Sequence, residues 1–274
     1  MNMRLRYFVV KREPTTYCGL NLVDTPDVDI SVRQVQPDVP GRFASAVQVL
    51  VCCGQLPTQT LIVVLLSLAG MTPPSNDQIP LRFFAALTLI DTAVVTFMMW
   101  TFLRASNESP RAVFFGARNL KKEILLGLAS VPAVLVGTGL LVGVLRLAVP
   151  ALHNVKISPF DSFTDSALKT IVFLTCAIVA GGVREELQRG FLLHRFEQKL
   201  GGMWVGLVLY SLVFGLGHAM QGWDIALATG SLGFFWGYLY IRRRSVAAAM
   251  VSHAGFNASE VLIQLLAKTL GIKP

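Results

Sequence analysis

The chain alternates apolar runs about as long as a bilayer is thick with short basic loops, and few folds satisfy that pattern. In lipid every backbone N–H and C=O needs an internal partner, so an apolar run of roughly 20 residues crosses as a helix. Such runs fall within Ala44–Met71, where Pro57 is a kink or a start, and at Phe83–Leu103, which carries Asp91. They continue at Ile124–Val149, from near Ala167 into a knot of charge, and at Trp204–Leu216, Ile225–Tyr240 and Val246–Leu266. The expected fold is all-α, a polytopic transmembrane bundle of about seven spans. With 53% hydrophobic and 15% charged residues, a soluble domain is excluded.

Basic residues favour the cytoplasmic side. Arg104, Arg111, Arg118, Lys121, Lys122, Arg195, Lys199 and Arg242 to Arg244 all fall on one side of a seven-span alternation, together with those of the amino-terminal arm. The reading is therefore an integral membrane protein, of the plasma membrane, with its amino terminus in the cytoplasm and its carboxyl terminus outside. The net charge of +8 reflects these loops, and no nucleic-acid motif accompanies it. Residues 1–43 read as a polar, Pro-rich cytoplasmic arm without helical periodicity, and Met1 to Val10 lacks the apolar core of a signal peptide. Cys18, Cys52, Cys53 and Cys176 make no disulfide framework and read as small hydrophobes.

The charge knot is Arg184-Glu185-Glu186-Leu187-Gln188-Arg189-Gly190. An isolated charge at the centre of a span costs about 2.5–3.5 kcal/mol, so these four need partners or water. Glu185 and Arg189 are four apart and can pair on one helix face, which leaves Glu186 to find another partner. A helix simply ending in water is the plain alternative.

Two more polar groups lie at matching depth. With a rise of about 1.5 Å per residue, the glutamates sit roughly 20 Å from Lys199, His218 roughly 25 Å beyond Gly201 and His253 roughly 14 Å beyond Arg244. Asn257 shares the face of His253, and Phe214 lies one turn before His218. A carboxylate that takes a proton from water, with two imidazoles, is an equipment for amide hydrolysis. The His218–His253 pair could hold a metal such as zinc, or could donate hydrogen bonds to the water and the oxyanion, for which Asn257 is also suited. The plain reading of each histidine is a hydrogen bond between helices, worth about 0.6 kcal/mol on average.

At these residues the chain resembles the CPBP family, the CAAX proteases and bacteriocin-processing enzymes, also called Abi. The family pattern is a double glutamate followed by an arginine, then Phe-x-x-x-His, then His-x-x-x-Asn or Asp. Here it reads Glu185-Glu186 with Arg189, Phe214 to His218, and His253 to Asn257, within about residues 164–266. The resemblance implies a catalytic transmembrane domain over 164–266 preceded by accessory helices over 44–160. It implies an intramembrane endopeptidase; the expected substrate is membrane-associated or prenylated and CAAX-like, a choice the resemblance itself does not imply. The family spaces its second glutamate four positions from the arginine, and here the interval is one shorter. Counted from the glutamates, Glu185 is the water-activating residue; counted back from Arg189, Glu185 is the arginine's partner and Glu186 is unassigned. The alternative from another class is a non-catalytic immunity factor or scaffold with the same fold.

Gly230-Ser231-Leu232-Gly233 superficially suggests a serine site, but Gly230, Gly233 and Gly237 read as a small-residue packing face. Asp91 reads as a hydrogen bond to a neighbouring helix. His194 and His153 read as solvated.

Overall fold

The computed structural model describes residues 37–53, 57–71 and 79–271, so most of the arm expected over residues 1–43, Cys18 included, lies outside the described residues. Among the described residues all regular structure is helical. Ten helices follow in order: α1 (Arg42–Cys52), α2 (Thr58–Leu68), α3 (Leu81–Ala105), α4 (Pro110–Phe115), α5 (Leu120–Ala148), α6 (Ala167–Cys176), α7 (Glu185–Lys199), α8 (Met203–Leu216), α9 (Trp223–Arg243) and α10 (Ala247–Thr269). A π-helical stretch, Ala177–Arg184, joins α6 to α7 without a break.

Among the described residues three helical stretches are long and apolar enough to cross a membrane by length and composition: Leu81–Ala105, Leu120–Ala148 and Ala167–Lys199. The single first span expected over Ala44–Met71 is instead two helices of 11 residues each. Pro57 stands at the amino-terminal boundary of the second, where a residue without an N–H costs no helix bond.

Local chemistry sets the boundaries. The side chains of Ser109, Asn119 and Ser166 accept hydrogen bonds from backbone N–H groups three residues on, capping α4, α5 and α6. The turn from α7 to α8 runs through Gly201 and Gly202, both near φ +97°, a conformation open to glycine. The anticipated small-residue face lies between α8 and α9. A Cβ added at Gly233 would sit 2.8 Å from Phe214, and one at Gly237 would collide with Leu207.

Charge pins the ends of the helices. Arg243 of α9 holds Glu123 of α5 at 2.5 Å, and Arg244 holds Glu197 of α7 at 2.7 Å. Asp224 binds Arg146 at 2.8 Å and His153 at 3.0 Å, tying α9 to the end of α5. His153 is thus a partner in an ion-pair cluster rather than a solvated loop residue. His194 departs from its expectation in the same way, with its Nε2 2.6 Å from Glu108.

Candidate active site

The site forms where the π-helical stretch meets α10. A π turn holds more residues than an α turn and is uncommon outside functional regions. Here it carries Gly181 and Gly182, and both are needed for the approach of α10. A Cβ on Gly181 would collide with Asn257 Nδ2, and one on Gly182 would lie 2.6 Å from the Ala254 Cβ. This contact delivers His253 to the glutamates.

Glu186 is buried and accepts a hydrogen bond from Arg189, three residues on, and another from His253 Nδ1 at 2.8 Å. The pairing expected from spacing, Glu185 with Arg189, is therefore not the one formed. Positions three and four apart are both neighbours on a helix, and the inward-facing glutamate takes the buried cation. Removing charges from water costs several kcal/mol per ion, which the surroundings of Arg189 offset. Its guanidinium lies 4.9 Å from the centre of the Phe214 ring, with Tyr210 and Trp236 at 5.5 and 5.7 Å, so π faces meet the nitrogens that have no hydrogen bond.

Trp236 stacks on the His253 imidazole at 3.7 Å and 16°, and its indole N–H donates to Ser252, which also meets Ser130 of α5. The ring is held by this stack and at one nitrogen. Because a carboxylate can only accept, Nδ1 is the protonated nitrogen of neutral His253, and Nε2 presents a lone pair. That lone pair lies 3.9 Å from Glu185 Oε2. The gap is too long for a hydrogen bond and fits one bridging water, about 2.8 Å from each atom.

Glu185 differs from its neighbour. Its side chain keeps 18% exposure and has no close ion pair, the Arg184 guanidinium and the His253 ring each standing 3.9 Å away. It lines a polar cavity of about 30 Å³ with Arg184, Gln188, Gln59, Tyr210 and Phe214. That volume holds a water or two.

His218 reaches this region through packing. Its ring lies 5.0 Å from Phe214, which also touches His253 at 6.2 Å, and its Nδ1 donates to the Phe214 carbonyl at 2.9 Å. It makes no hydrogen bond with either glutamate. Asn257 donates from Nδ2 to the Ala177 carbonyl at 3.0 Å, closing a backbone bond of the π stretch. Both imidazoles leave Nε2 bare, the form in which histidine ligates a metal. Among the described residues no group of three or more His, Cys, Asp and Glu is gathered as a metal site.

Several pairings at the site carry no local signal in the sequence. Arg184 binds Asp91 of α3 at 3.0 Å and Gln188 at 2.8 Å, and Gln188 binds the Cys52 carbonyl at 2.5 Å. Asp91 accepts the expected hydrogen bond from a neighbouring helix, Gln59 of α2, and is in addition the counter-ion of Arg184. Trp236 is also invisible as a site residue, since an aromatic amid apolar neighbours reads as core.

No curated protein and no solved structure matches the chain. Residues 167–259 match the family model described as Type II CAAX prenyl endopeptidase Rce1-like, a segment that runs from the start of α6 through Asn257 and includes both glutamates and both histidines. Residues 167–259 are thus similar to the Rce1-like type II CAAX prenyl endopeptidases, a match consistent with the CPBP and CAAX protease resemblance.

Proposed function

We propose that the protein is an intramembrane endopeptidase that hydrolyses a peptide bond of a membrane-associated, prenylated or CAAX-like substrate, with Glu185 as the base that activates water. One observation carries the choice of base. Of the two glutamates, Glu186 is already committed to Arg189 and His253, whereas Glu185 faces a polar cavity with its carboxylate uncommitted.

The chemistry follows from the acceptors. A water between Glu185 Oε2 and His253 Nε2 points both hydrogens at these atoms, and its remaining lone pair faces a substrate carbonyl in the cavity. Attack on the carbonyl carbon transfers the water's proton to Glu185. Glu185 then passes that proton to the leaving nitrogen as the C–N bond breaks. Glu186 keeps His253 in the tautomer this needs, and Trp236 keeps it in place. Holding Glu186 beside Arg189 leaves Glu185 as the acceptor of the moving proton.

Zinc is a second reading, favoured by the bare Nε2 atoms of His218 and His253; no step is assigned to it, because the donors do not converge. The family match covers the membrane-embedded site, and the apolar helices and basic loops support the plasma membrane with the amino terminus in the cytoplasm. The test is cleavage of an internally quenched farnesylated CAAX peptide by purified protein in detergent. Wild type is expected to cleave it and Glu185→Gln to have lost at least about 10²-fold in kcat, the usual contribution of a general base. Equal rates for the two proteins would return the chain to the scaffold reading.

A further inference from the structure

The glutamates and neutral imidazoles of the resting site supply acceptors. Glu185 takes a proton, His253 Nε2 accepts, and His218 Nε2 also accepts because Nδ1 is committed to the Phe214 carbonyl. Asn257 has turned an N–H to Ala177 and packs against Gly181. Yet the carbonyl oxygen of a substrate gains a full negative charge when water adds, and stabilising that charge is commonly the largest single contribution to catalysis.

The cavity wall offers donors, the Tyr210 hydroxyl and the Arg184 guanidinium among them, and only the guanidinium carries a positive charge. Arg184 lines the cavity beside Glu185, its side chain is only 8% exposed, and its Nε has no hydrogen-bond partner among the described residues. The other end of the guanidinium is fixed, Nη2 by Asp91 at 3.0 Å and Nη1 by Gln188 at 2.8 Å. Gln59 steadies Asp91 from α2 at 3.4 Å. A buried cation held at two nitrogens beside the base is placed where charge moves.

We propose that Arg184 is a catalytic residue of this site: its guanidinium receives the negative charge that forms on the substrate's carbonyl oxygen, and Asp91 and Gln188 are the positioning residues that aim it. The inference rests on the endopeptidase reading and deepens it. The charge balance favours it over capture of a substrate's terminal carboxylate. At rest the cavity holds Arg184 against two anions, Asp91 and Glu185. Water adds to the carbonyl carbon, its proton neutralises Glu185, and the carbonyl electron pair moves to oxygen. One anion disappears as another forms within reach of the same cation, so the net charge of the site does not change. A bound carboxylate would instead add a third anion. On collapse the C–O double bond re-forms, the C–N bond breaks, and Glu185 gives its proton to the nitrogen.

The experiment compares Arg184→Gln, Arg184→Lys and the double variant Asp91→Asn with Arg184→Gln, using the farnesylated peptide and an analogue in which an anionic phosphonate replaces the scissile carbonyl. Arg184→Gln is expected to lower kcat about 10²–10³-fold, as loss of one oxyanion donor does, with KM within about threefold. It should weaken the phosphonate by a similar factor, and Arg184→Lys should recover part of both losses. The double variant leaves no unpaired buried carboxylate, so it should regain the wild-type Tm while kcat stays low. Recovery of kcat in the double variant would make Arg184 a structural counter-ion and overturn the proposal. A loss confined to KM that vanishes for a carboxy-amidated peptide would make it a carboxylate anchor and overturn the proposal equally. Cleavage that depends on Glu185 but not on Arg184 overturns this inference alone. A wild-type protein that neither cleaves the peptide nor binds the phosphonate overturns the endopeptidase reading with it.

Discussion

α7 carries two knots built from the same three kinds of side chain. At its start Glu186, Arg189 and His253 form one; near its end Glu108, Arg195 and His194 form the other. In the second every side chain is engaged. Glu108 binds His194, Arg195 and Gln198, and Arg195 also holds Gln48 of α1 at 2.7 Å and Gln198 at 2.8 Å. The first knot adds a second carboxylate, Glu185, that the ion pairs do not consume and that borders a cavity. Residue type therefore does not distinguish a site from a strut; the spare group beside open space does.

The strongest way to break this contrast is Glu185→Gln, for which a kcat loss of about 10²–10⁴-fold is expected from removal of a general base. Its Tm should move little, because Glu185 closes no tight ion pair; a large fall in Tm would erase the distinction. Glu186→Gln should combine both phenotypes. It leaves Arg189 buried without its carboxylate, at a cost of about 3–5 kcal/mol read from denaturation in detergent, and frees the His253 ring, read as a lower kcat.

Glu108→Gln tests the other knot. Arg195 keeps two glutamine partners, so a smaller stability loss of about 1–3 kcal/mol is expected, with kcat unchanged within about threefold. The same carboxyl gives a pH dependence. Burial pushes Glu108 up, but hydrogen bonds from His194 and Arg195 and their charges outweigh it and hold the carboxyl down at about 2. Its contribution is therefore complete above the ordinary glutamate range and is lost as pH falls from about 4.5 toward 2. Wild type should lose Tm across that window, and Glu108→Gln should flatten the loss. The smallest effect is expected from dialysis against a chelator, which should leave kcat within about twofold; a loss restored by zinc would mean that His218 joins His253 and Glu185 during turnover.

The residues of the first knot were legible in the chain because charges inside an apolar run announce themselves, and depth alone brought His253 to the glutamates. Which glutamate took Arg189 was not legible, since spacing allows both and the choice depends on the rotation that the π stretch imposes. Depth also placed His218 nearby, but a one-dimensional measure could not show that Phe214 stands between the two rings. The Arg184–Asp91 pair joins positions far apart in the chain on separate helices, and only packing reveals it. His194 read as solvated for a related reason: its partner Glu108 lies on a loop far from it in the chain, and only packing brings the two together.

The π stretch at Ala177–Arg184 also has a consequence for how the protein can change. In an ordinary helix each added or lost residue swings everything beyond it by about 100°. A wide coil just ahead of Glu185 absorbs such a step, because shedding one residue there tightens the winding instead of breaking it. The bearing of the base is thereby protected by the gauge of the main chain upstream, so a one-residue deletion between 177 and 184 would tighten the coil and leave Glu185 facing its cavity.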